Sequence, residues 1–121
     1  MRAVEVRALG SGLLLFLVAM PLVGCLSTGE QGNERSAMYA TYYDMEVLSY
    51  CSLGGEAATD GHARTVARLL EGGLSQNDHE QARMDAWADA YREWLNRGLG
   101  GFKGWCRTEG EAARLRLESV R

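Results

Sequence analysis

Residues 77–98, NDHEQARMDAWADAYREWLNRG, decide the fold. Within them Met84, Trp87, Ala88, Tyr91 and Leu95 recur at i, i+3, i+4, i+7 and i+11, the period of one helical face, and Trp94 widens that face. Asn77 followed by Glu80 reads as a capping box at the start, and Gly98 as the stop. Glu93 and Arg97 stand at i, i+4 in the favourable order, worth a few tenths of a kcal/mol. Acidic pairs at helical spacing such as Asp85 and Asp89 are balanced by Arg83, Arg92 and Arg97, which predicts a solvated polar side rather than a catalytic carboxylate pair.

The flanking segments repeat the pattern. Upstream, Asp60 is a candidate N-cap, and Ala63, Val66, Ala67, Leu70 and Leu74 follow as a buried stripe that Gly72-Gly73 ends or kinks. Before that, Ser36 to Leu53 predicts a first helix with Tyr39, Tyr43, Val47, Tyr50 and Cys51 along one face and Met38, Tyr42 and Met45 beside them. Its tyrosines either pack the core with their hydroxyls at the rim or form part of a binding surface. Downstream, a turn over Leu99 to Gly104 precedes a capping box, Thr108 with Glu111, which opens a fourth helix offering Ala112, Ala113, Leu115, Leu117 and Val120 for packing. Beyond the leader the chain has neither proline nor isoleucine, and only Val47, Val66 and Val120 are β-branched aliphatics. Helix is favoured over strand on propensity as well as period. The expectation is an all-α protein, a small four-helix bundle separated by glycine turns.

The N-terminus has a different character. Arg2 and Arg7 precede an uncharged run from Ala8 to Leu26 with its apolar centre at Leu13 to Met20, closed by Leu22-Val23-Gly24-Cys25. These four residues resemble the lipobox of bacterial lipoprotein signal peptides. The resemblance implies a signal peptide over residues 1–24, removal of that peptide, and lipidation of Cys25 as the first mature residue. The competing reading is an uncleaved membrane helix, since the uncharged run is about long enough to span hydrocarbon; Gly10, Gly12, Pro21 and Gly24 dilute it. Two or three acyl chains, at roughly 0.8 kcal/mol per buried CH₂, make the anchor effectively permanent. In the enteric-type pathway an aspartate after the lipidated cysteine favours inner-membrane retention. Leu26 stands there instead, so the resemblance implies an outer-membrane anchor with the domain facing the periplasm. Residues 25–35, rich in Gly, Ser, Asn, Gln and Glu, read as a flexible linker with an r.m.s. reach of roughly 17 Å. The helical domain is then 36–121, enough chain for one small core.

With Cys25 set aside for lipid, Cys51 and Cys106 remain as an even pair in an oxidising compartment, which predicts a disulfide between them. Closing a loop of that length contributes about 4 kcal/mol in the chain-entropy account. The alternatives are two buried free thiols or a metal site, and no Cys-x-x-Cys or His-x-x-x-His spacing supports metal. His62 and His79 are expected at the surface. The mature chain carries a net charge of about −4, which argues against nucleic acid as a partner.

Sequence motifs of catalysis are lacking: there is no G-x-S-x-G elbow, phosphate loop or zinc motif, and no cofactor is implied. The expected role is therefore binding, not enzymatic turnover. A lipidated cysteine, a linker and four helices, with Tyr50-Cys51 ending the first helix and Trp105-Cys106 preceding the last, resemble the small helical pilotin lipoproteins of type II secretion. That resemblance implies that the domain grips a C-terminal segment of a secretin subunit and carries it to the outer membrane. An amphipathic peptide would lie in a groove between helices one and three, on whichever of Tyr39, Tyr43, Trp87, Tyr91 and Trp94 the core leaves exposed. Two alternatives are an immunity or inhibitor lipoprotein that neutralises a periplasmic toxin or enzyme, and a structural envelope lipoprotein.

Overall fold

The computed structural model describes the backbone of residues 16–97 and 102–121 and the side chains of residues 32–97 and 103–121. It is an all-α bundle, with no strand among the described residues. The helices are α1 (Phe16–Cys51), α2 (Glu56–Glu71), α3 (Gln76–Arg97), α4 (Phe102–Trp105) and α5 (Glu111–Glu118), and a π-helical stretch, Cys106–Gly110, joins α4 to α5. The last three segments follow one another without a break and act as the bundle's fourth helix. Residues 34–121 form one compact unit.

The first part of the expected leader, residues 1–15, lies outside the described residues, and so does the side chain of Cys25. The segment expected as a linker falls within α1. Helix there runs against local propensity, since Ser27, Thr28, Gly29, Gly32 and Asn33 are poor helix formers.

Inside the compact unit α1 is the central helix, and its buried line is rotated from the expected one. Met38, Thr41, Asp44, Val47 and Leu48 are buried, while Tyr39, Tyr42, Tyr43 and Tyr50 lie half-buried on the shoulders. Two polar groups can occupy that line because each is partnered. The Thr41 hydroxyl bonds to Nδ1 of His62 at 3.0 Å. The Asp44 carboxylate accepts two hydrogen bonds from Arg116 at 3.0 and 2.9 Å, a bidentate pair tying α1 to α5. Around α1 one cluster gathers Val47, Leu48, Ala58, Trp105, Ala113 and Leu117, and a second gathers Met38, Leu74 and Ala82.

Helix starts differ from the expected ones. α2 begins at Glu56 with Gly55 as its N-cap, so Asp60 is an interior residue. Its buried positions are Ala58 and Gly61, with Val66, Leu69 and Leu70 partly covered; Leu74 is buried beyond its end, but Ala63 and Ala67 face outward. Gly61 sets the face: a Cβ there would collide with the Leu117 carbonyl of α5. Backbones that approach so closely leave no room for a side chain. Gly72 and Gly73 end the helix as expected.

α3 is capped by Ser75, whose hydroxyl accepts the Asp78 N–H at 3.1 Å; Asn77 lies inside the helix, and Glu80 pairs with Arg83 at 2.9 Å. The fourth helix starts at Phe102 within the expected turn. Thr108 does not cap it, since its hydroxyl donates backward to the Gly104 carbonyl at 3.0 Å and Glu111 pairs with Arg114. Ala113 and Leu117 are buried and Ala112 and Val120 partly so, whereas Leu115 is exposed.

Cys51 and Cys106 form the expected disulfide, with Cα atoms 5.3 Å apart. Gly110 packs on it: a Cβ would fall 2.8 Å from Leu53 Cδ1 and 3.3 Å from Cys51 Sγ. The bridge thus closes the α1 terminus onto the π-helical stretch.

Candidate protein-recognition surface

α3 has two apolar faces, and the bundle uses the small one. Ala82, Ala86 and Ala90 are at most 1% exposed, while Met84, Trp87, Tyr91 and Leu95 are 57%, 53%, 40% and 49% exposed. This reverses the expected packing of the helix. At about 100° per residue the alanines lie almost opposite the large residues. Alanine at i, i+4 and i+8 gives α3 a flat face toward the bundle, and Tyr39 and Tyr42 of α1 pack, partly buried, against the cluster that holds Ala82.

The consequence is an outward ridge about 16 Å long, three helical turns from Met84 to Leu95. Trp87 and Tyr91 stack face to face along it, with ring centroids 5.7 Å apart and planes 2° from parallel. Tyr91 continues to Trp94 at 6.0 Å, and Trp94 stacks on Tyr50 of α1 at 5.1 Å. A chain of rings thus runs from the half-buried Tyr50 and Trp94 to the surface. Its inner members are fixed by packing, so the outer rings start partly pre-organised.

The five aromatic residues expected to bind a partner therefore divide. Trp87 and Tyr91 are exposed on the ridge, and Trp94 is half-buried beneath it. Tyr39 and Tyr43 are half-buried and stacked on each other at 5.9 Å, and the Tyr39 hydroxyl donates to Asp89 Oδ2 at 2.7 Å. Burial, and then that carboxylate, raise the Tyr39 phenol well above its usual range. Contacts of this kind close much of the seam between α1 and α3 where an open groove was expected, and what stays open there is a shallow hollow beside Tyr39. Met84 and Leu95, read from sequence as core, join the surface instead.

Both histidines are half-buried in the bundle, contrary to the expectation of surface positions. Tyr42 lies between them, with its hydroxyl 2.8 Å from His79 Nε2 and its ring edge-on to His62 at 4.7 Å. Burial lowers the His62 pKa below 6.5, against a smaller opposing contribution from Thr41.

Hollows elsewhere are shallow. One of about 220 Å³ lies between α1 and α3, lined by Arg35, Ser36, Tyr39, Ala82 and Asp85. Among the described residues no three His, Cys, Asp or Glu side chains gather as metal ligands, and no helix is long and apolar enough to cross a membrane. No known protein family matches the chain, and no curated protein or solved structure is similar to it.

Proposed function

We propose that this chain is a lipid-anchored envelope protein that works by binding another polypeptide across the outer face of α3. The supporting observation is the exposed Met84–Trp87–Tyr91–Leu95 ridge. Burying such side chains contributes about 1.5–3 kcal/mol each. A fold that buries alanines and leaves a tryptophan and a tyrosine outside forgoes that stabilisation, which selection for folding alone does not favour. The exposed area, about 400 Å², is that of the largest apolar patch on a typical monomer, which is often functional. Its helical spacing suits an amphipathic helix laid alongside.

The lipobox resemblance supplies the location, an outer-membrane anchor at Cys25 with the domain in the periplasm. The pilotin resemblance supplies the partner class, the C-terminal segment of a secretin subunit. Calorimetric titration with such segments tests both the class and the surface. The expected result is a saturable complex lost in the Trp87→Ala/Tyr91→Ala variant and retained in Arg64→Ala on α2. Equal binding by all three proteins would remove the ridge from the account, and no binding by any would remove the secretin.

A further inference from the structure

We infer that the α3 ridge pairs with the same ridge of a second copy, antiparallel about a two-fold axis, and that this self-pairing covers the surface when no other polypeptide occupies it. The inference goes beyond the recognition role and holds whatever the partner's identity. It rests on the self-complementarity of the ridge.

In a two-fold antiparallel pair of helices each residue meets the one equally far on the other side of the axis, and each flank meets itself. The ridge satisfies this arrangement. Met84 and Leu95 share a midpoint with Ala88 and Tyr91, between Asp89 and Ala90, so one axis seats Met84 against the second copy's Leu95 and Ala88 against its Tyr91. Asp85 and Arg92 are seven positions apart, hence on the same flank, and their midpoint is within about 1.5 Å of that axis. The Asp85 carboxylate of one copy therefore faces the Arg92 guanidinium of the other, twice per dimer. The Arg92 side chain is 70% exposed and that of Asp85, at the edge of the α1–α3 hollow, 48%. Their present partners within the chain are weak ones at the surface: Arg35 at 3.9 Å and Gln81 for Asp85, Asp89 at 3.3 Å for Arg92.

Area sets the strength. Two ridges bury about 800 Å² together, below the 1,200–2,000 Å² of a stable complex. The dimer is therefore weak, and a tether in one membrane plane would raise its population by increasing effective concentration. Because dimer and partner use the same side chains, partner capture would proceed through the monomer.

Sedimentation equilibrium of the full-length chain in density-matched detergent tests this. The expected result is a monomer–dimer equilibrium with a dissociation constant on the order of 10 µM. Asp85→Arg and Arg92→Asp, at exposed sites and with circular dichroism unchanged, should each weaken it about tenfold, since each replaces two attractive contacts by two repulsive ones. Mixing the two variants should restore pairing to about the original strength, because every flank contact then joins opposite charges. A chain that remains monomeric to about 0.5 mM overturns the inference. So does a mixture no tighter than either variant alone.

Discussion

Gly61 illustrates how one residue governs the relation of two helices. A Cβ there meets the backbone of Leu117, which cannot rotate away, so Gly61→Ala has to separate α2 from α5. The expected cost is about 3 kcal/mol, near the upper end for overpacking, measurable as a reduced midpoint in urea; an unchanged midpoint would mean the helices do not approach so closely. His62 carries a pH effect. Its folded pKa lies below 6.5 because burial disfavours the cation. The unfolded chain therefore binds more protons, and stability falls as pH drops below about 6.5 until the folded pKa has been passed. His62→Gln should flatten that part of a thermal-stability profile between pH 7 and pH 5; an unaltered slope would assign it to other groups.

At the level of elements, much of the fold was legible and the facing of α3 was not. All four helices, the stop at Gly72 and the pairing of Cys51 with Cys106 could be read from period, glycine positions and cysteine parity. The caps that the sequence suggests, Asn77 and Asp60, lie two and five residues beyond the observed Ser75 and Gly55, because local sequence does not rank such neighbours. The face of α3 was reversed for a deeper reason. Ala82, Ala86 and Ala90 satisfy the helical period as well as Met84, Trp87 and Tyr91 do, and a hydrophobicity argument picks the bulkier set. Close approach to an aromatic neighbour picks the smaller, a tertiary fact that no single helix reveals. The signal available in sequence was the unusual tyrosine content of the first helix, whose half-buried rings already cover the shoulders of the core. Capping offers a direct check: Ser75→Ala should cost about 1 kcal/mol, and Asn77→Ala next to nothing. The reverse order in thermal melts would restore the sequence-based cap.

For the whole molecule, one covalent link joins the central helix to the fourth. A domain of this size has a total stability of about 5–15 kcal/mol, of which the Cys51–Cys106 closure supplies about 4. Reduction, or the Cys51→Ser/Cys106→Ser pair, should lower the melting temperature by about 15–25 °C. A shift of only a few degrees would show that packing alone holds the bundle. The proposed anchor adds a second covalent feature outside the domain. The domain itself is a stapled scaffold with an exposed aromatic ridge, and the ridge is the part that folding does not explain.

The most direct test of that reading is photo-crosslinking in native membranes from a benzoylphenylalanine placed at residue 87, with residue 64 on α2 as the control. The account predicts from position 87 a discrete adduct with another envelope polypeptide, distinct in mass from any adduct with a second copy of the chain, none from position 64, and loss of the adduct with the other polypeptide in a Cys25→Ser chain that no longer sediments with membranes. Adducts of equal yield from both positions, or none from either, would contradict it.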